Sequence, residues 1–388
     1  MAEVVLRRGE EKDIFAGHLW IYDNEVQQLR GEVEDGGIVD VISSGGRFLG
    51  RGYVNRKSRI LVRLMTFERE EIDREFLRRR LETAIALRRR LGYENACRLV
   101  FAEADYLPAL IVDKFADCLV LQTLALGIDR FKSDIVELLA EMLAPRCIYE
   151  RNDVPLRARE GLPQQTGVLF GENPGRVEIE EHGLRLLVDV ENGQKTGYFL
   201  DQRENRAAIE PFVKDAEVLD CFCHTGSFAL HAAKYGARSV EAVDISDEAL
   251  ALARENAALN GMEAIRFEQA NVFDLLREDE RTGRQYDTVI LDPPAFCKTR
   301  SALHGAYRGY KEINLRAMKL LRPGGFLITC SCSHFMTPDL FLKMLQEAAA
   351  DVGRPARIIE IRYQAKDHPT SVAADESLYL KCVTLQVF

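Results

Sequence analysis

The 388-residue sequence predicts an α/β chain: a Rossmann-like, doubly wound and mostly parallel sheet over its C-terminal part, preceded by a small N-terminal β-barrel and a central α+β region. Three observations carry this reading. From about Lys195 onward short apolar strand runs alternate with helical patterns, as a mostly parallel sheet requires. The first ~67 residues instead alternate apolar and polar positions between Gly-rich turns. The length also exceeds what one ordinary core serves, so two or three domains are expected. The resulting segments are 1–70, 71–190 with a helical linker at its start, and 191–388.

In chain order, "GGIVDVISSGGRFLGRGYVN" and "RILVRLMTF" read as strands of a small antiparallel β-domain. Helical spacing follows, with Phe76, Leu77, Leu81, Ile85, Leu87 and Leu91 set among arginines. Strand and helix signals then mix from "CRLVFAEADYLPALIVDKF" to "EEHGLRLLVDVENG". Next "AEVLDCF" is a short strand and "GSFALHAAKYGA" a helix closed by Gly236. "SVEAVDI" is a second strand, and "SDEALALARENAALNG" a helix with Ser246 as N-cap and Gly261 as stop. "IRFEQANVF", "YDTVILDPP" and "GGFLITCSC" are further strands, each followed by a helical pattern. "RIIEIRY" and "SLYLKCVTLQVF" have no helix between them, which predicts a terminal antiparallel pair at the sheet edge.

Composition narrows the function classes. Hydrophobic residues at 47% and charged residues at 29% are ordinary soluble usage. The N-terminus lacks a secretory apolar stretch, and no window approaches the ~18 apolar residues of a membrane span. Nine cysteines without export point to a reducing, cytoplasmic setting in which thiols stay free. The balance of 52 Lys+Arg against 61 Asp+Glu, net -9, argues against a nucleic-acid binder. The distribution says otherwise, because Val41 to Phe67 holds Arg47, Arg51, Arg56, Lys57, Arg59 and Arg63 and no acid. Such a cluster suits a phosphate backbone, unless counter-charges fold against it.

Ligands of doubly wound sheets bind at the C-terminal ends of the strands, near the point where strand order reverses. Asp220, Asp244, Asn271, Asp292 and Cys332, all at strand ends, should therefore converge. "LDCFCHTGSFAL" is a Gly-containing turn into a helix, where backbone can approach a ligand. It is neither a dinucleotide fingerprint nor a P-loop. Asp244, roughly 20 residues beyond the turn, is placed to accept from ribose hydroxyls. Asn271 can bond an adenine edge, so a cofactor with adenosine and no phosphate cradle is expected. In "ILDPPAF" the prolines stiffen the backbone around the Asp292 carboxylate, beside a site for a planar base.

With these motifs in place, the chain resembles class I S-adenosylmethionine-dependent methyltransferases. More closely it resembles the ribosomal RNA cytosine-C5 methyltransferases with an N-terminal PUA domain, whose known member modifies large-subunit rRNA. "HLWIYDNEV" and "GRFLGRGYVN" carry the PUA portion, "DYLPALIVDKF", "IYERNDVPLRAREGL" and "EEHGLRLLVDVENGQKTGYFLDQRENR" the central domain, and "GYKEINLRAMKLL", "SCSHFMTPDLF" and "DHP" the catalytic part. The resemblance implies an S-adenosylmethionine pocket lined by Tyr198, Asp201, Gln202 and Arg203, by Asp220, Cys221, Phe222, Thr225 and Gly226, by Asp244 and Ile245, by Asn271 and Val272, and by Asp292 and Pro293. Related enzymes often carry Asp at the position of Asn271, and an amide still bonds adenine. The known member has Ser at the position of Cys223 and Tyr at that of His224. A homodimer is implied as well.

Cytosine C5 is a poor nucleophile until a thiolate adds to C6 and turns the ring into an enamine, which is covalent catalysis. The resemblance assigns this thiolate to Cys332 in "S-C-S" and a base-holding role to Asp292. Cys330, two residues back, reads as a deeper core residue. Cys297 lies just past "DPPAF", but in the two-cysteine enzymes the second cysteine directly follows D-x-P, the place of Ala295. The C-x-C pairs Cys221/Cys223 and Cys330/Cys332 are spaced too closely for a structural zinc site, and no metal is expected. The basic β-domain would grip structured RNA, with the target base flipped toward Cys332. "SALHGAYRGYKEIN" reads as a mobile loop offering Tyr307, Arg308 and Tyr310 to that RNA. Methylation of a guanine nitrogen, for which a relative carries "S-N-N" instead, and a non-catalytic RNA-binding assembly factor are the rival readings.

Overall fold

The computed structural model describes residues 2–374 and 377–388 and divides the chain into two compact units. The first comprises Met1–Ile179, Val188–Leu200 and Lys366–Ser377, and the second Glu180–Leu187, Asp201–Ala365 and Leu378–Phe388.

Alternating apolar strands build the start of the first unit. β1 (Glu3–Leu6), β2 (Trp20–Tyr22), β3 (Val26–Arg30), β4 (Ile38–Ile42), β5 (Phe48–Val54) and β6 (Ile60–Thr66) form a six-stranded sheet of order β2-β6-β5-β4-β1-β3. Its core is branched aliphatics such as Val4, Ile21, Val41 and Val62. Asp73 caps the next helix, Arg74–Arg90, by accepting from Phe76 N at 2.8 Å. That helix buries Phe76, Leu77, Leu81 and Ile85, whereas Leu87 and Leu91 stay exposed. A second sheet follows, of order β11-β10-β9-β8-β7, from β7 (Ala96–Phe101), β8 (Leu110–Phe115), β9 (Cys118–Thr123), β10 (Cys147–Arg151) and β11 (Thr166–Gly171).

One expectation changes here. Cys118 and Cys147 stand opposite each other on neighbouring parallel strands, Cα atoms 4.9 Å apart, and form a disulfide; the other seven cysteines are free. Residues 1–70 fall in the same compact unit as most of 71–190, Glu180–Leu187 excepted, and a late stretch of the chain, Lys366–Ser377, returns to that unit. Asp367 in that stretch accepts from Arg98 N at 2.8 Å, and its carbonyl accepts from the buried Arg88 guanidinium at 2.7 Å.

The boundary between units falls within the two-stranded β12 (Arg176–Glu181) and β13 (Leu184–Asp189). The second unit is built on a seven-stranded sheet: β14 (Glu217–Cys221), β15 (Ser239–Asp244), β16 (Arg266–Gln269), β17 (Tyr286–Leu291), β18 (Leu321–Ser331), β19 (Ala356–Arg362) and β20 (Lys381–Val387). The order is β16-β15-β14-β17-β18-β20-β19, with β14 to β18 parallel and β20 antiparallel to both its neighbours. The terminal antiparallel pair is therefore present, with β20 inserted beside β18 and β19 at the edge. Strand order reverses between β14 and β17, so their C-terminal ends open the crevice in which such sheets hold ligands.

Candidate active site

The turn after β14 is shaped for a ligand. Phe222 (φ 63), His224 (φ 50) and Gly226 (φ 79) all adopt left-handed backbone within five residues. Such non-glycine conformations are costly and cluster at binding turns. Gly226 starts the helix Ser227–Lys234, and a Cβ there would meet Ala253 Cβ and Phe267 Cε1, each at 3.1 Å. The Asp244 carboxylate fixes the turn: Oδ2 accepts from His224 N at 2.8 Å and Oδ1 from Ser246 N at 2.9 Å. Each oxygen keeps a lone pair for a ribose hydroxyl. Ile245, beside it, is 67% exposed and offers an apolar face.

Asp220 lies at the centre. It is fully buried, and neither side-chain oxygen makes a well-formed hydrogen bond among the described residues, the Ala229 N–H giving only weak support. Burial, helped by the Asp292 and Asp244 carboxylates, raises its pKa well above the usual carboxylate range. A buried acid with so little support is a place for a bound cation or donor. Asp292, one strand across, accepts from Gln202 Nε2 at 2.9 Å, and Gln202 in turn accepts from Asn205 at 2.7 Å. Asp201 is buried nearby in sequence and accepts from the Tyr379 hydroxyl at 2.6 Å. Asn271 caps the helix Val272–Thr282, its oxygen accepting from Phe273 N at 2.9 Å. Its amide nitrogen remains as an outward donor. Val272 is buried, as are Cys221 and Cys223, whose thiols burial pushes well above the ordinary range.

Cys332 follows the tip of β18. Its sulfur lies 4.0 Å from the carbonyl of Pro293, immediately after Asp292. Among the seven free cysteines of the described residues it alone is partly exposed, and the other six are buried. Cys330 faces Cys382 across β18–β20; contact with that second thiol, together with burial, raises it well above the ordinary thiol range. Cys297 is buried, its thiol donating to Thr299 O at 3.1 Å and its amide to Ser333 Oγ at 3.1 Å. Among the described residues no group of three or more His, Cys, Asp and Glu could hold a metal ion.

A family of PUA-like domains matches residues 4–67, and the S-adenosylmethionine-dependent methyltransferase family matches residues 153–373. The chain is 46% identical, over 99% of both sequences, to ribosomal RNA large subunit methyltransferase I of Shewanella amazonensis. It is 44% identical, again over 99% of both, to the protein of that name from Shewanella denitrificans. The chain belongs to the S-adenosylmethionine-dependent methyltransferase family. A crystal structure of the methyltransferase SMU.776 complexed with SAH, 21% identical, superposes over all of both chains with a TM-score of 0.86, a shared fold.

S-adenosylmethionine is thus the methyl donor of this methyltransferase, and the residues present fit it. The weakly supported Asp220 oxygens suit its amino group, and Asp244, Ile245 and Asn271 suit an adenosine. Of the other residues expected in the pocket, Asp201, Gln202 and Arg203 belong to the second unit, whereas Tyr198 is a buried residue of the first. Thr225 is buried with an unpartnered hydroxyl.

The expected RNA contacts divide. Arg47, Lys57 and Arg59 are exposed, Arg47 with its guanidinium 4.8 Å from the Phe15 ring. Arg56 is exposed but forks onto Asp35 at 2.9 and 3.3 Å. Arg51 is a correction: it is buried, paired with Asp40 at 2.7 Å and donating to Glu70 O, so its charge is spent within the fold. Arg63 is likewise buried against Glu160. The stretch read as a mobile loop is also corrected, because Leu303–Leu320 is a helix whose face of Ala306, Tyr310, Ile313 and Ala317 enters the core. Tyr310 is fully buried, 4.6 Å from the Phe296 ring centre, and its hydroxyl bonds Ser333 Oγ at 2.9 Å, so it is no RNA contact. Tyr307 is half-buried and Arg308 exposed on the same helix.

Two residues at this site were not singled out from sequence. Ser333 ties the strand tip to Cys297 and Tyr310, and Lys381 donates to the Ser333 carbonyl at 2.8 Å. A lone lysine inside the apolar run "LYLKCVTL" was the available signal for the second.

Proposed function

We propose that this methyltransferase forms 5-methylcytosine in large-subunit ribosomal RNA through a covalent adduct between Cys332 and C6 of the target base. The observation that carries the proposal is the single partly exposed thiol among the described residues, at the tip of β18 beside the Asp292 loop. The name shared by relatives identical at 44–46% supports the substrate class.

In this reading the Cys332 thiolate attacks C6, and the ring electrons shift to make C5 an enamine carbon. S-adenosylmethionine, when bound, supplies an electrophilic methyl group. Asp292, held by Gln202, accepts from the cytosine N4 amino group and so fixes the ring against the thiolate. After methylation a base takes the C5 proton, the C5–H electrons form the C5–C6 double bond, and the C6–S bond breaks with its electrons returning to sulfur. The exposed Arg47, Lys57 and Arg59 give the N-terminal sheet a positive surface for RNA phosphates. The protein acts as a homodimer in the cytoplasm in this reading.

The test is a map of 5-methylcytosine in large-subunit rRNA from cells with and without the protein. Loss of one site in its absence is expected. A lost guanine methylation with all 5-methylcytosines intact would contradict the chemistry proposed.

A further inference from the structure

Lys381 opens β20 and stands opposite Ser331 in the antiparallel register with β18, beside the strand end that carries Cys332. It is 1% exposed. Two of its three N–H donors go to backbone carbonyls, Ser333 O and Tyr379 O, both at 2.8 Å. Among the described residues it forms no ion pair with a carboxylate. A buried cation that meets only neutral dipoles is expensive, and folds retain one where a negative charge completes it.

We propose that Lys381 is a positioning residue that holds the Cys332 sulfur as a thiolate, an ammonium–thiolate pair formed across β18 and β20. The proposal rests on the reading of Cys332 as nucleophile and adds the group that activates it. Carbonyl contacts fix the ammonium, so it stays at the strand tip without a rotamer search. Burial pushes the Lys381 ammonium down to about 8, and the charge that counters this is that of Cys332. The interaction is mutual, so the ammonium draws the thiol pKa down by the same free energy.

The other titratable groups at the tip do not supply this charge. Asp292 is an acid one loop away, Tyr310 is a buried phenol bonded to Ser333, and Cys297, Cys330 and Cys382 are buried thiols. His334 is turned to solvent. On ionisation the S–H bond breaks with both electrons left on sulfur, and the proton passes to solvent. Lys381 keeps its three protons in this step.

The test is the rate of iodoacetamide alkylation of Cys332 in the full-length chain, read by peptide mass from about pH 5 to about pH 10. Wild type is expected to show a midpoint below the ordinary thiol value of about 8.5. Lys381→Met is expected to raise that midpoint by about one unit or more, slowing alkylation near neutrality about tenfold. Lys381→Arg, which keeps the charge, should restore most of the rate. In methylation assays the loss should fall on kcat, with the KM for S-adenosylmethionine unchanged. A midpoint unmoved in Lys381→Met overturns the proposal. Should that variant fail to fold, a wild-type midpoint at or above about 8.5 overturns it alone. Alkylation needs neither RNA nor methyl donor, so activity surviving in Cys332→Ala would refute the nucleophile while leaving the thiol titration to be judged separately.

Discussion

Asp220 is under electrostatic tension: a carboxyl sealed from water, supported only weakly by the Ala229 N–H, with two further carboxylates pushing against its ionisation. Pairing with the amino group of S-adenosylmethionine requires that carboxyl to ionise. Binding should therefore release a proton and strengthen as pH rises, measurable by calorimetry in buffers of different ionisation enthalpy. Asp220→Asn is expected to raise the melting temperature of the ligand-free chain, since the buried acid no longer resists folding. It should weaken S-adenosylmethionine binding by about tenfold or more. Residues of this kind were legible in the sequence because they sit at strand ends, which the doubly wound rule brings together. Asp220, Asp244, Asn271, Asp292 and Cys332 are all at or just past the ends of β14 to β18. Lys381 and Ser333 were not, because their meeting depends on β20 folding back antiparallel onto β18, a contact between distant segments.

At the level of elements, the turn after β14 and the helix Val272–Thr282 form the cofactor end of the proposed site. Gly226→Ala would place a side chain at φ 79 against Ala253 and Phe267, and a stability loss above ~1 kcal/mol is expected in denaturant melts. Asn271→Ala should cost about 1 kcal/mol by uncapping its helix, whereas Asn271→Asp should keep the cap and gain from the helix dipole. Differential scanning calorimetry with and without S-adenosylmethionine separates capping from cofactor contact, because the aspartate variant keeps the cap oxygen and loses the amide donor whereas the alanine variant loses both. Periodicity revealed the strand–helix alternation and Ser246 as a cap, which does accept from Ala249 N. It failed at Leu303–Leu320, where Gly305 and Gly309 suggest a loop. There the buried face of Ala306, Tyr310 and Ile313 outweighs the weak helix propensity of glycine.

For the whole molecule, stability depends on a buried cluster in the second unit. Arg206 forks onto Glu181 at 2.6 and 2.8 Å, and His231 lies 3.7 Å from the same carboxylate. Burial alone would raise Glu181, but the Arg206 guanidinium overrides it and holds the carboxyl down at about 2. Burial lowers His231 to about 4. Both groups bind fewer protons folded than unfolded, so stability is lost as pH falls from about 6.5 through about 2. Urea melts across that range should show the second unit weakening on acidification by an amount on the order of 3 kcal/mol from Glu181, and Glu181→Gln should flatten the dependence. The distribution of the chain between two units was not legible, because the return of the Asp367 segment to Arg88 and Arg98 leaves no local pattern. Nor was the disulfide, since Cys118 and Cys147 meet only through the register of β9 with β10.

The central chemical claim is most directly measured by trapping. Large-subunit rRNA transcribed with 5-fluorocytidine cannot lose a proton from C5, so the adduct should persist once the methyl group has been transferred. Wild-type protein with S-adenosylmethionine is expected to give a denaturant-stable protein–RNA complex whose cross-linked peptide contains Cys332, and Cys332→Ala is expected to give none. A complex of equal yield in Cys332→Ala, or full 5-methylcytosine formation by that variant on ordinary RNA, would contradict it.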